Sequence, residues 1–167
     1  VCEQLLGSHF TVVRRNCLLT GECGFDICTK ARYVLDVKTA KVAQAKVSGD
    51  STTVFPLSAN RVGLLISYGM GTGERAAEES MATVRLLEKM LRIGYDPEVA
   101  VRVINQTLLA RSSNDTFATI DFAVIDLQAG RVEFIKIGSA PSFIKRNNSI
   151  EVIQNHALPI GILNHVE

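Results

Sequence analysis

The sequence lacks several features that would assign it to a whole class of proteins. No apolar stretch approaches the roughly 20 residues that a membrane-spanning helix needs. Residues 1–30 also lack the charged-then-apolar order of a signal peptide. The formal net charge is only +1, and Lys and Arg are scattered along the chain. We therefore expect no membrane segment in this chain and no broad basic surface for nucleic acid.

The chain also lacks a cysteine pattern that is typical of a metal site. All four cysteines, Cys2, Cys17, Cys23 and Cys28, lie in the first 28 residues, and no two of them form a Cys-x-x-Cys pair. Structural zinc sites usually draw on such close pairs. The spacing therefore favours reduced thiols in a cytosolic protein.

The chain does contain enough apolar material for one folded domain. It has 167 residues, 47% of them apolar, and a chain of this length buries about two-thirds of its unfolded surface. It begins without Met and stops at residues 165–167 just after an apolar run, so we expect a C-terminally truncated fragment. Residues 1–30 show no clean period and are predicted to be the end of an upstream linker or regulatory segment. Residues 31–167 would then form an incomplete domain.

Two short segments are candidates for a functional site. Val47–Ser51 places Asp50 on a predicted tight turn, and Ser67–Gly73 is a glycine-rich loop after the apolar run 61–68. A metal or phosphate site is expected where the two segments meet. The loop has neither the glycine spacing of a dinucleotide-binding turn nor the Gly-Lys-Ser/Thr ending of a P-loop, so a nucleotide site is not favoured.

Hydrophobic periodicity predicts a mixed set of elements with two helices between strands. Helix 74–92 should end at Gly94, and Asp96-Pro97 should start a second helix, so the two form a hairpin. The predicted strands are residues 32–44, 61–68, 118–127, 131–137, 142–146 and 150–154.

Six segments, in order along residues 30–167, carry a resemblance to a known family. They are Val47–Ser51, Gly69–Gly73, Thr83–Leu91, Ala118–Asp121 with Ile125–Leu127, Lys136–Arg146 and Leu158–Ile162. Together they resemble the phosphatase domain of the stage II sporulation protein E family. That family is a branch of the metal-dependent type 2C (PPM-type) serine/threonine protein phosphatases.

The resemblance implies a fold, a chemistry and a setting. The fold is α+β, an αββα sandwich of two antiparallel sheets flanked by helices. The chemistry uses two Mn²⁺ or Mg²⁺ ions, which activate a water for attack on a phosphoserine or phosphothreonine phosphorus. The implied partner is a phosphorylated anti-sigma-factor antagonist during sporulation. The parent protein would be membrane-anchored by an upstream region, with this domain at the cytoplasmic face.

The resemblance also implies roles for three neighbouring positions. Asp50 matches the first metal-binding carboxylate, and the backbone carbonyl of Gly69 matches a second ligand. Tyr68 stands where the family has the aspartate that bridges both ions. A phenol with a pKa of about 10 is a poor ligand for a hard divalent cation.

The family takes further Asp ligands from a later Asp-Gly motif, and the chain stops before that motif could occur. We therefore expect a phosphatase domain whose 167 residues have weak activity or none. Two other interpretations stay open. One is a pseudophosphatase that serves as a phosphoprotein-binding or regulatory module, and the other is a purely structural fragment.

The helix pair 74–110 has a simple interpretation as packing against a sheet. The resemblance adds a second interpretation, in which these helices act as a switch and as the contact of a homodimer. Met81, Met90 and Leu91 are the candidate residues for that apolar surface.

Asp121 and Asp126 lie in a predicted strand and could line the site or face solvent. The sequence leaves both possibilities open for them.

Overall fold

The fold contains eight strands and two helices among the residues that the structure, a computed structural model, describes: 9–17, 23–43, 47–71, 73–111 and 117–163. In chain order they are β1 (Phe10–Cys17), β2 (Cys23–Thr29), β3 (Asp50–Ser58), β4 (Arg61–Tyr68), α1 (Glu74–Arg92), α2 (Pro97–Arg111), β5 (Ile120–Asp126), β6 (Arg131–Ile137), β7 (Ser142–Arg146) and β8 (Ser149–Ile153). None of the helices in these ranges is long and apolar enough to cross a membrane.

The centre of the fold is a four-stranded antiparallel sheet in the order β3-β4-β5-β6. The pairs β1–β2 and β7–β8 form separate two-stranded hairpins. Helix α1 lies against the central sheet and α2 packs on α1, so the predicted α+β class is confirmed.

The hydrophobic core lies between the two helices and one face of the central sheet. Helix α1 packs on β3, β4 and α2. The rings of Phe55 and Phe122 stack with centroids 6.2 Å apart, and both residues are buried. Gly63 lies against both rings, since a Cβ there would come within 2.8 Å of Phe55. The helices contribute the buried residues Val84, Leu87, Leu91, Ala100, Ile104 and Leu108.

Most of the predicted elements are confirmed. The bounds of β4, α1, β6 and β7 match the predicted ranges, and β5 and β8 differ by one or two residues. Gly94 follows α1 with a φ of 90°, a conformation that glycine adopts without steric cost. The Asp96 carboxylate accepts hydrogen bonds from the N–H groups of Glu98 and Val99, which caps α2 as expected.

The strand predicted at residues 32–44 is wrong for the part that is described. Residues 31–43 form no strand, and residue 44 lies outside the described residues. The N–H groups of Arg32 and Tyr33 donate to the carbonyl of Leu127 at the β5–β6 turn. β-branched residues favour extended backbone, but a strand also requires a partner, which local sequence does not specify.

Three strands were not predicted. β1 and β2 form a hairpin within residues 1–30, where no regular element was expected, and a register shift occurs between Val12 and Arg14. β3 begins at Asp50, where only a turn was expected, and contains Pro56. A proline argues against a central strand, but β3 is at the edge of its sheet, where proline is tolerated.

Helix α1 approaches the end of β4 at its first turn. A Cβ on Gly69 would lie 1.9 Å from the carbonyl oxygen of Ala76, whereas a Cβ on Gly49 would lie 3.0 Å from the Ala76 Cβ. The N–H of Gly69 donates to the Gly49 carbonyl at 3.0 Å. Glycine at position 69 therefore lets the helix backbone pack directly on the strand end.

We expect Gly69→Ala to destabilise the fold by about 1–3 kcal/mol, because the added methyl group meets rigid backbone. Gly49→Ala is the matched control and should cost less, since its nearest neighbour is a side-chain methyl group. Urea denaturation of both variants measures the difference. Equal midpoints for the two variants would contradict the packing argument.

Candidate functional site

The two candidate segments meet at one end of the central sheet. Asp50 is the first residue of β3 and pairs directly with Tyr68, the last residue of β4. Gly69 follows at once and is joined to Gly49 by its backbone hydrogen bond. Antiparallel pairing therefore places Asp50, Tyr68 and Gly69 side by side.

Tyr68 is held firmly by its backbone. Its N–H donates to the hydroxyl of Thr119 at 3.0 Å, and the N–H of Thr119 donates to the Tyr68 carbonyl at 3.0 Å. Burial raises the pKa of the Tyr68 phenol, and the negative charges of Asp50 and Asp121 raise it further. The phenol is therefore neutral at pH 7, since its ordinary pKa is already about 10.

Asp50 is half-buried and also has neighbours through its backbone. Its N–H donates to the Ser48 hydroxyl at 3.3 Å, and the Lys41 ammonium donates to its backbone carbonyl. These contacts hold the start of β3 in place.

Asp121 lies near this end of the sheet. Of the two possibilities left open by the sequence, lining the site or facing solvent, this position agrees with the first. It pairs with Ile66 of β4 on one side and with Lys136 of β6 on the other. Its carboxylate accepts from the Lys136 ammonium at 2.6 Å and from the Ser142 hydroxyl at 3.0 Å. The predicted strands 118–127 and 131–137 did not specify this pairing. The connection 127–130 places Asp126 opposite Arg131, and this register puts Asp121 opposite Lys136.

Asp126 lies at the other end of β5 and closes the β5–β6 turn. Its carboxylate accepts from the N–H groups of Gln128 and Ala129 at 2.9 and 2.8 Å. These hydrogen bonds lower the pKa of the Asp126 carboxyl. Asp126 therefore has a structural role and does not line the site.

The residues present do not fit a centre of two divalent cations. Mg²⁺ and Mn²⁺ prefer several oxygen ligands, carboxylates above all. No group of three or more His, Cys, Asp or Glu side chains in the described part of the chain is arranged to hold a metal ion. The nearby donors are the Asp50 carboxylate, a neutral phenol and the Gly69 carbonyl, while Asp121 is already paired with Lys136.

The structure gives a packing reason for glycine at position 69. The space where a side chain would begin is filled by the backbone of Ala76.

The three interface candidates on α1 lie in different environments. Met81 is 39% exposed and lines an open groove of about 420 Å³ with Val47, Glu74, Ala77, Glu78, Ala82 and Arg85. Met90 and Leu91 are 8% and 5% exposed and belong to the core. The structure therefore corrects the interface assignment of Met90 and Leu91, because their side chains contact the core and cannot present a surface.

Comparison with known proteins assigns the family. Residues 58–167 match the family model described as stage II sporulation protein E. The stage II sporulation protein E of Priestia megaterium is 42% identical over 168 residues, which cover 98% of this chain and 28% of that protein. The chain thus spans less than a third of the length of this relative.

Solved structures agree with this match. The PP2C phosphatase domain of SpoIIE from Bacillus subtilis, solved with a fragment of its regulatory domain, aligns with a TM-score of 0.77 and 35% identity. That alignment covers 99% of this chain and 51% of the solved one. RsbX in complex with magnesium aligns with a TM-score of 0.56 at 20% identity over 74% of this chain and 60% of its own, a likeness in fold alone. The chain therefore belongs to the stage II sporulation protein E family and has the PP2C phosphatase fold.

Proposed function

We propose that this chain is part of a protein serine/threonine phosphatase domain that acts during sporulation, and that its 167 residues have weak activity or none. The pairing of Asp50 with Tyr68 carries this proposal. Family membership supports the reaction class, and the neutral phenol at the position of the bridging aspartate supports the loss of activity.

The chemistry of the three site residues supports the same conclusion. Asp50 supplies one carboxylate, which binds a divalent cation weakly without a second one beside it. Tyr68 supplies a donor hydroxyl and an aromatic ring where a second negative charge would be needed. The Gly69 carbonyl is a neutral ligand whose position depends on the contact with Ala76.

We propose as substrate a phosphorylated anti-sigma-factor antagonist, by resemblance to the family. The parent protein would be anchored in the membrane by an upstream region, with this domain at the cytoplasmic face. Mn²⁺ or Mg²⁺ is the proposed cofactor of the family chemistry, and the magnesium bound to RsbX supports a divalent cation.

A pseudophosphatase is the second candidate function. The architecture around Tyr68 is intact, with both hydrogen bonds to Thr119 and the close contact of Gly69 with α1. A domain that retains the phosphatase fold but lacks one metal-binding carboxylate could bind a phosphoprotein without hydrolysing it.

A homodimer through α1 and α2 is a further part of the proposal. The groove at Met81 offers small apolar side chains, Ala77 and Ala82, beside an exposed methionine. Such a surface suits helix packing against a second copy.

We expect Tyr68→Asp to bind Mn²⁺ at least about tenfold more tightly than the unaltered chain, because two carboxylates then face each other across β3 and β4. Tyr68→Phe is the control, since it removes the hydroxyl without adding charge. Isothermal calorimetry measures all three proteins. Equal Mn²⁺ affinity of the unaltered chain and Tyr68→Asp would contradict the assigned role of position 68.

We expect no Mn²⁺-dependent release of phosphate from a phosphoserine protein by the unaltered chain, because the donor set lacks the second carboxylate. A phosphate-release assay with and without EDTA measures this. Binding of the phosphoprotein without turnover would favour the pseudophosphatase. Robust metal-dependent turnover would refute the proposed loss of activity.

We expect Met81→Asp to lower the dimer fraction of the chain at least about tenfold, because it places a charge in an apolar contact. Val132→Asp is the matched control, since Val132 is similarly exposed but lies on β6 and on neither helix. Sedimentation velocity measures both. A chain that is monomeric at all concentrations would contradict the dimer proposal.

A further inference from the structure

A buried charged cluster lies next to the site and takes no part in the function proposed above. The Lys136 ammonium is 2.6 Å from an Asp121 carboxylate oxygen and 2.7 Å from the Ser142 hydroxyl. The same Asp121 oxygen accepts from Ser142 at 3.0 Å. The side chains of Lys136 and Asp121 are only 3% and 15% exposed.

Stability alone is a weak explanation for this cluster. Removing two charges from water costs several kcal/mol per ion, and apolar residues of similar size often serve a fold equally well. The neighbouring cross-strand pairs of β5 and β6 are apolar, since Phe122 is opposite Ile135 and Ala123 is opposite Phe134. A buried lysine is also rare unless it is paired.

The position of the cluster links it to Tyr68. Asp121 pairs with Ile66, two residues before Tyr68 on β4, and the strand alternation puts Asp121 and Tyr68 on the same sheet face. The negative charge of Asp121 acts on the Tyr68 phenol. Lys136 is directly opposite Asp121 on β6, and its ammonium is 2.6 Å from the carboxylate whose charge reaches Tyr68.

Lys136 also connects this region to the β7–β8 hairpin. Ser142, which its ammonium contacts, is the first residue of β7. Asn155, two residues after β8, donates from its side-chain amide to the Lys136 carbonyl at 2.9 Å. Both ends of the hairpin are therefore attached to this one residue of β6.

We propose that Lys136 is a positioning residue of the site: its ammonium holds the Asp121 carboxylate beside Tyr68 and opposes its charge, which sets the electrostatic field at position 68. The effect on the field follows from the charges alone. Its consequence for cation binding at Asp50 and position 68 rests on the proposed function.

A nitrile probe at position 68 tests the field directly. Tyr68→p-cyanophenylalanine keeps the aromatic ring, and its nitrile stretching frequency shifts linearly with the local field. Lys136→Gln removes the positive charge and keeps amide hydrogens that can donate to Asp121 and Ser142. Asp121→Asn removes the negative charge with little change in shape.

We expect Lys136→Gln and Asp121→Asn to shift the nitrile frequency in opposite directions, and the double variant to return it towards the starting value. A purely structural role would not produce opposite signs. Lys145→Gln is the control, because Lys145 is an exposed lysine of β7 and should leave the frequency unchanged. Shifts of the same sign, or shifts no larger than that of the control, would overturn the proposal.

If Lys136→Gln alone fails to fold, the comparison of Asp121→Asn with the double variant still isolates the charge of Lys136. The double variant must then differ in nitrile frequency from Asp121→Asn, and this difference must have the opposite sign to the shift that Asp121→Asn itself causes. Absence of that reversal overturns the proposal.

Mn²⁺ affinity in the Tyr68→Asp background tests the consequence for the site. We expect Lys136→Gln to tighten binding and Asp121→Asn to weaken it, each by about tenfold. Changes in the same direction would count against the inference. If Tyr68→Asp binds no Mn²⁺, the proposed function fails, while the nitrile frequencies still decide the role of Lys136.

Discussion

The pairing of β3 with β4 is the constraint on which the rest of this site depends. It places Asp50 opposite Tyr68 and brings Gly69 against Gly49. The same strand end receives the first turn of α1, whose backbone occupies the space beside Gly69. A change in this register by one residue would turn each of these side chains to the other sheet face, so register and site are determined together.

This end of the sheet carries little free negative charge. Position 68, which the resemblance matches to a bridging carboxylate, holds a neutral phenol whose pKa is raised by burial and by two neighbouring aspartates. One of those aspartates is paired with a buried lysine at 2.6 Å. The chain thus has the PP2C phosphatase fold, while this end of its sheet offers a divalent cation little negative charge. A fold by itself does not determine an activity.

Local patterns predicted the elements that carry strong periodicity or clear end signals. Helix α1 has an apolar face and a glycine after it, so both of its bounds were predicted, and the Asp96-Pro97 signal predicted the start of α2. β3 was not predicted, since only a turn was expected at Asp50, and its Pro56 is tolerated because β3 is at the edge of its sheet. Residues 31–43 show the converse, since β-branched side chains there find no pairing partner in the described part of the chain.

The sequence by itself determined the family, and through that resemblance it matched Asp50, Tyr68 and Gly69 to one site, because a family match depends on residue type and order. Tertiary structure decided what each residue contacts. It placed Met90 and Leu91 in the core and left Met81 exposed, since helix periodicity defines a face but not its partner. It also joined Asp121 to Lys136 and Ser142, because a hydrogen bond to a separate hairpin depends on how that hairpin packs and not on local sequence.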